Sequence, residues 1–348
     1  MVRLFGDVPY YTEAYFANPL PRTDKSVVLT NCLADLQSLL DNDPEGKILR
    51  WRNGNGSWRA NRGSVLALMM HINMWLAFFD TGNAQTYYSE VARLAEVDSW
   101  IDGTYYSLQS MEQMSNVFRG NSNEGLFEIV QNITMGEVFD TNNMWCTKVV
   151  YEVRNKTEAD FAYSEAFLTH LYPEETNDMR KEYWFKNLYR EEGTGGSSSI
   201  RPVEIIKLLN ADEYKSTTIP NAGNYIVFRL ADVILLYAEA LNNLGEREKA
   251  LQEVNRIRQR AGAPDFTMED DLDASIYWER VRELMGEGQY YYDLVRTMKI
   301  TDASFAVFSD DSGHRETMAN LKQGSWTWPI YKGALDNNPY MSKNIYWE

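Results

Sequence analysis

Cysteine and histidine are scarce in this chain, which excludes several classes of site. Its 348 residues include two cysteines, Cys32 and Cys146, and three histidines, His71, His170 and His314. Two cysteines are too few for a disulfide framework or a cysteine-based zinc site. We expect two buried thiols, although pairing stays open. The histidines lack zinc-ligand spacing, and His71 lies in an apolar helical pattern, which favours a core residue whose polar atoms are satisfied.

The sequence also lacks motifs for nucleotide binding and nucleophilic catalysis. It contains no Gly-rich phosphate loop and no Gly-x-Ser-x-Gly turn. No run of about twenty apolar residues is present, so we expect no membrane-spanning segment, and residues 1–6 do not resemble a secretory signal. The formal charge of −16 disfavours nucleic acid and anionic lipid as partners. A neutral ligand such as a sugar is compatible with that charge.

Two helical hairpins dominate the apolar pattern that is present. Apolar residues recur at three- and four-residue steps through 63–96 and through 225–262. Small residues such as Ala238 and Ala250 let two arms approach closely, as in a tetratricopeptide unit. Each hairpin has too small a core alone, so we expect the two to stack through intermediate helices. The sequence predicts a mostly α-helical fold, built on these hairpins as a single domain over residues 1–348.

Further elements are expected around this scaffold. Additional helices are predicted at 26–41, 110–120 and 276–287. Short strands are predicted at 125–131 and 183–185, where apolar and aromatic residues cluster. The stretch 100–225 otherwise looks irregular and loop-rich, which is typical of a region that carries ligand specificity.

Several sequence segments resemble motifs of the SusD/RagB family, and they occur in the same order as in the family. The strongest are 228–242, 254–262, 279–288 and 293–296. Weaker resemblance extends to 124–129, 171–180 and 328–346. One such string would carry little weight, but this many in order make the resemblance specific. Residues 2–10 resemble a stretch that normally lies well inside family members, so we expect this chain to lack the usual lipoprotein signal and first helices.

The resemblance implies a SusD-like fold and a non-catalytic role. Family members are cell-surface lipoproteins of the outer membrane of Bacteroidota that bind oligosaccharide or polysaccharide nutrients. They deliver these to a TonB-dependent, SusC-like transporter. The resemblance therefore implies surface localisation through a lipid anchor carried by the full-length protein, and no cofactor. Two alternatives stay open: a peptide-binding or scaffold protein built on the hairpins, and a glycosidase that uses two carboxylates across a cleft.

Loop aromatics beside amide or charged side chains are the candidate ligand-binding residues. Aromatic residues make up 13% of the chain. Sugar ring faces pack on such rings, and sugar hydroxyls need polar partners. The candidates are Trp145 with Asn142 and Asn143; Trp100, Tyr105 and Tyr106 beside Asp102; and Trp51 and Trp58 with Asn53, Asn55 and Arg59. Core packing is the competing interpretation for each group. Trp75, Tyr237 and Trp278 lie on apolar helix faces and are assigned to the core.

Two acidic groups have a possible chemical role, and both also have a structural explanation. Glu279, Glu283 and Glu287 lie four residues apart on one helix face. Neighbours on one helix are rarely set across a substrate, so we predict an ion-pair network with nearby arginines. Asp310 and Asp311, with adjacent serines, are the candidate for a structural Ca²⁺ ion. Their spacing does not match an EF-hand loop, and an acidic turn is the favoured interpretation.

Overall fold

The computed structural model describes residues 1–16, 18–51, 57–131, 163–186, 188–189, 203–208, 223–306 and 316–348. The candidates outside these ranges are Asn53, Asn55, Asn142, Asn143, Trp145, Cys146, Asp310, Asp311 and His314. The hypotheses for these residues stay predictions. Cys32 is a half-buried free thiol.

Helices account for most of the regular structure, which confirms the predicted fold class. The helices are α1 (Val2–Phe5), α2 (Lys25–Asp41), α3 (Arg62–Phe79), α4 (Ala84–Glu96), α5 (Met114–Arg119), α6 (Glu165–Leu171), α7 (Arg180–Trp184), α8 (Leu230–Asn243), α9 (Arg247–Arg260), α10 (Leu272–Glu283), α11 (Tyr290–Arg296), α12 (Met318–Gln323) and α13 (Lys332–Asn337). The strands are β1 (Gly125–Ile129), β2 (Phe185–Lys186), β3 (Glu204–Ile205) and β4 (Tyr225–Arg229).

The two predicted hairpins are α3–α4 and α8–α9, and they pack directly on each other. Helix α4 contacts α8, and α10 then covers α8 and α9. The expectation that intermediate helices separate the hairpins is therefore wrong. The reason lies in α8, whose residues from Leu230 to Leu241 are all buried. A helix that is buried all round must be covered on several sides, and one partner hairpin cannot do this alone.

Helix α3 forms the centre of the first core. Asn61 caps it through a reciprocal pair of hydrogen bonds with Ser64. By length and composition α3 could cross a membrane, but 78% of it is buried inside the protein. Its apolar character is explained by packing on α2, α4 and α8. Trp75 and Tyr237 are buried as predicted, whereas Trp278 is only partly buried.

Strand pairing changes two of the predicted boundaries. Strand β4 pairs antiparallel with β1, which confirms the strand predicted at 125–131. Residues 225–229 therefore belong to β4, and α8 begins only at Leu230. The residue types of Tyr225–Phe228 favour a strand, but the partner strand β1 lies about 100 residues earlier in the sequence. Tyr183 and Trp184 end α7, so the strand predicted at 183–185 begins only at its last residue.

Candidate functional site

The acidic residues of α10 belong to a buried ion-pair network, as predicted. Arg229 pairs with Glu124 at 2.7 Å, Glu283 at 2.7 Å and Glu287 at 2.6 Å. Arg180 pairs with Glu279 at 2.7 Å. The side chains of Glu279 and Glu283 are 0% exposed. No substrate can reach these two carboxylates. Glu279 joins α10 to α7 through Arg180, and Glu283 joins α10 to β4 through Arg229.

A second network surrounds His71. Its Nε2 lies 2.7 Å from Asp232, and Arg280 lies 2.9 Å from the same carboxylate. Arg280 also contacts Asp293, which pairs with Arg296 at 2.7 Å. His71 is therefore a satisfied core residue, as predicted. Among the residues that the structure describes, no group of three His, Cys, Asp or Glu side chains is arranged to hold a metal ion.

The best candidate binding site is a cleft of about 440 Å³ beside the first hairpin. It is lined by Pro44, Glu45, Gly46, Arg50, Trp51, Arg62, Asp98 and Tyr105. The rings of Trp51 and Tyr105 stack with centroids 4.5 Å apart and an interplanar angle of 9°. Tyr105 is 38% exposed and Trp51 is half-buried. Two of the predicted ligand residues thus stack face to face, so each ring covers one face of the other, and a ligand can reach the exposed part of Tyr105.

Trp100 and Tyr106 lie behind this stack, which corrects the prediction that they contact ligand. They are 0% and 1% exposed. The indole N–H of Trp100 donates to the carbonyl oxygen of Leu94 at 3.0 Å, and the Tyr106 hydroxyl donates to Asn61 at 2.9 Å. Successive side chains of this turn face opposite ways, so Tyr105 points outward while Tyr106 is in the core. Both buried rings support the stack from below.

Polar side chains of the cleft have bonding capacity to spare. Arg50 and Asp98 are exposed, and within the described ranges neither forms an ion pair. Arg62 donates from Nη1 to the carbonyl oxygen of Asp43 at 3.1 Å, and its guanidinium lies 5.7 Å from the centroid of Trp51. The Asp43 carboxylate accepts backbone N–H bonds from 47–49, which holds the loop carrying Trp51 in place.

Sequence reasoning missed the polar residues of the cleft. Arg50 adjoins Trp51 in the chain, so an adjacency rule would have found it. Asp98 gives no such signal. It and Ser99 both have positive φ, 51° and 50°, a left-handed conformation that is rare outside glycine. This turn brings Asp98 to the cleft at the end of α4.

Among the candidates that the structure describes, Trp58, Arg59 and Asp102 do not line this cleft. Trp58 is 43% exposed, and its role in binding stays a prediction. Asp102 lies 3.3 Å from Arg256 of α9, so it anchors the turn that carries Tyr105. Trp145, Asn142 and Asn143 lie outside the described ranges, and their role in binding stays a prediction.

Gly63 should resist substitution because of the ring that supports the site. A Cβ atom there would lie 2.6–2.7 Å from three atoms of the Tyr106 side chain. Alanine would gain up to about 1 kcal/mol of helix propensity, but overpacking a core costs about 1–3 kcal/mol. Tyr106 cannot move away without losing its bond to the Asn61 cap. We expect Gly63→Ala to lower the free energy of unfolding by about 1–2 kcal/mol in urea titrations.

A matched substitution separates the clash from a general effect of alanine. A Cβ atom added at Gly82 would have the Asp80 carboxylate as its nearest neighbour, at 3.7 Å. Gly82→Ala should change the stability by less than about 0.5 kcal/mol. A Gly63→Ala protein as stable as the parent would contradict the close packing of Tyr106 on α3.

These features define a class: a helical-hairpin scaffold that presents a stacked aromatic pair in a polar cleft. The sequence model of the SusD family matches residues 73–347, well over half of the chain. The chain belongs to the SusD family. The resemblance inferred from the sequence strings is thereby confirmed.

Known relatives agree with this assignment. A SusD homologue of Bacteroides thetaiotaomicron of known structure is 46% identical, with a TM-score of 0.87 over 100% of this chain and 73% of that one. A SusD-like protein of Formosa agariphila is 26% identical over 85% of this chain and 60% of its own length. Another from that organism is 35% identical over 133 residues, 35% of this chain and 24% of that protein.

More distant structures share the fold. Surface glycan-binding protein A of Bacteroides uniformis has a TM-score of 0.71 at 19% identity, over 99% of this chain and 74% of its own. The chain thus spans only part of the length of each of these relatives.

Proposed function

We propose that this protein binds an oligosaccharide nutrient at the surface of the outer membrane and performs no chemistry on it. Membership of the SusD family supports surface glycan binding for uptake. A relative that shares the fold is named as a surface glycan-binding protein. Delivery to a SusC-like, TonB-dependent transporter, and lipid anchoring of the full-length protein, are part of the proposal and rest on the family resemblance.

The observation that carries the proposal for the site is the Trp51–Tyr105 stack. A sugar ring presents C–H groups on its faces and hydroxyls around its edge. The exposed part of Tyr105, held in place by its stack on Trp51, offers an apolar ring surface for the first. Arg50 and Asp98 stand at the rim with free hydrogen-bonding capacity for the second. A non-catalytic binding protein needs no acid, base or metal, and this cleft supplies the two kinds of contact that binding does need.

Trp145, Asn142 and Asn143 complete the proposed set of ligand contacts on the sequence argument alone. An indole beside two amides has the same combination of flat ring and polar groups. Trp145→Ala tests this part separately from the cleft, because it leaves Trp51 and Tyr105 unchanged.

Removing one ring of the stack should weaken glycan binding. We expect Tyr105→Ala to raise the dissociation constant about ten-fold or more, since the exposed ring of the stack is lost. Tyr105 is exposed, so the substitution should leave the fold intact. The measurement is calorimetric titration with plant, host and microbial oligosaccharides, first with the unmodified protein to find the ligand.

Two variants serve as controls. Tyr340→Ala removes an exposed tyrosine that is not in the cleft and should leave the affinity unchanged. Trp58→Ala asks whether that candidate contributes. If Tyr105→Ala binds the glycan as tightly as the parent, the cleft is not the site. If no glycan binds but peptides do, the peptide-binding alternative replaces the proposal.

A further inference from the structure

The turn that follows α4 has a strained backbone. Asp98 has φ 51° and ψ 22°, and Ser99 has φ 50° and ψ 36°. Both conformations are left-handed, which is unfavourable for residues other than glycine because the Cβ atom crowds the backbone. In the part of the chain that the structure describes, these are the only adjacent non-glycine residues that both have positive φ. The strain is therefore concentrated in two neighbouring residues.

Neither side chain offsets this strain locally. Aspartate tolerates the left-handed conformation best when its carboxylate bonds to nearby backbone. Within the described ranges the Asp98 carboxylate forms no hydrogen bond or ion pair, and the Ser99 hydroxyl does not cap the helical turn that follows it. The same loop has glycine at position 103, where φ is 96°. Glycine at 98 or 99 would relieve the strain in the same way.

Contacts on both sides of the turn hold it in this conformation. On the α4 side, Glu96 accepts a hydrogen bond from the Tyr237 hydroxyl at 2.7 Å. On the other side, the buried indole of Trp100 donates to a backbone carbonyl of α4 at 3.0 Å. Arg256 of α9 donates to the carbonyl oxygen of Ile101 at 2.6 Å. A strained backbone persists where the surrounding structure fixes it in this way.

The strained turn places a carboxylate in the proposed site. Asp98 is exposed and lines the cleft, whereas Ser99 is exposed and does not line it. A carboxylate accepts hydrogen bonds and donates none, which suits the hydroxyl groups of a sugar. It binds more tightly when its backbone is already fixed, because less conformational entropy is lost on binding.

We propose that this turn preorganises the cleft for its ligand. Asp98 accepts hydrogen bonds from ligand hydroxyls, and Ser99 is a positioning residue whose left-handed backbone fixes Asp98. This inference rests on the proposed glycan-binding function and adds to it a residue outside the cleft that sets the affinity. The turn gives up stability in favour of binding, so relaxing it should move the two in opposite directions.

Ser99→Gly tests this directly. It relieves the strain and frees the turn, but it removes no atom that lines the cleft. We expect the midpoint of thermal unfolding to rise by about 1–3 °C, since the relief of strain exceeds the entropy that glycine adds to the unfolded chain. The dissociation constant for a glycan should rise about three- to ten-fold. A purely structural role for Ser99 gives no reason for weaker binding by a more stable protein.

Three further variants serve as controls. Ser99→Ala keeps the Cβ atom and hence the strain, so it should match the parent in stability and affinity. Tyr15→Gly puts glycine at another left-handed residue, with φ 59°, that is fully exposed and does not line the cleft. It should leave the affinity unchanged. Asp98→Asn suits the same backbone but loses the charged acceptor, and should weaken binding about three- to ten-fold without raising the midpoint.

The affinities are measured by isothermal titration calorimetry with maltoheptaose, cellohexaose, xylohexaose, mannohexaose and chitohexaose. The oligosaccharide that binds the parent most tightly is then used for every variant. The midpoints are measured by circular dichroism without ligand, so the stability comparison does not depend on which glycan binds.

The outcomes separate the inference from the function on which it rests. A Ser99→Gly protein that binds glycan as tightly as the parent, or that unfolds at no higher temperature, overturns the inference and leaves the proposed function standing. A parent protein that binds none of these oligosaccharides contradicts the proposed function and the inference together.

Discussion

Arg229→Met should cost about 3–5 kcal/mol of folding free energy, enough to unfold a marginal protein. Arg229 is 1% exposed and forms hydrogen bonds of 2.6–2.7 Å to the carboxylates of Glu124, Glu283 and Glu287. Methionine keeps much of the volume, so the loss is mainly electrostatic. The variant leaves three buried carboxylates with one cation fewer, and removing one partner of a buried pair is far more costly than removing a surface pair.

The remaining cations cannot replace Arg229. Lys207 stays 2.6 Å from Glu287, and Arg260 stays 3.6 Å from Glu124. Neither bridges β4 to both β1 and α10, as Arg229 does. Urea titration followed by far-UV circular dichroism measures the effect. The control is Arg93→Met at an exposed pair with Glu90, where we expect less than about 1 kcal/mol. Equal losses for the two variants would refute the role assigned to the buried network.

Acid should unfold this protein steeply. Burial opposes ionisation of Asp232, Glu279, Glu283 and Asp293, but neighbouring cations outweigh burial and hold the pKa of each carboxyl below its usual value. For Asp232 the neighbours that lower the pKa are His71 and Arg280. A carboxyl whose pKa is lower in the folded state contributes stability above the pKa of the unfolded chain, near 4, and loses it as the pH falls.

We therefore expect the free energy of unfolding to be nearly constant from pH 7 to about 6 and to fall by at least about 3 kcal/mol by pH 3. Urea titrations at a series of pH values give this curve. Asp293→Asn removes one of the four groups and should flatten the curve below pH 5. Glu90→Gln at the surface should not. Stability that is level or rising from pH 6 to pH 3 would contradict the assignment.

Much of the scaffold is readable from residue spacing alone. The three- and four-residue steps that predict the hairpins reappear as α3, α4, α8 and α9. Periodicity works there because a helix decides locally which side chains share a face. The same logic finds α2 and assigns Trp75 to the core. It fails at 225–229, where the backbone pairs with β1 across about 100 residues of chain, since a distant partner leaves no mark on local spacing.

The site is less predictable than the scaffold. Composition and loop context correctly select Trp51 and Tyr105 as cleft residues, but they select Trp100 and Tyr106 equally, and these are buried. Neighbouring tyrosines look alike in a sequence. Which of the two tyrosines is buried depends on which side of their turn faces Asn61 and the core around α3. That depends on how the first hairpin packs.

The amino-acid sequence by itself determined the family, the helical scaffold and the ion-pair role of the α10 carboxylates, because each is encoded in residue types at fixed spacing. Only the tertiary structure decided that α4 packs directly on α8, that Trp51 and Tyr105 stack, and that Arg50, Arg62 and Asp98 meet around them. These contacts join residues from separate loops and helices. Their geometry is set by which faces are buried when the elements pack, and no single stretch of chain contains that information.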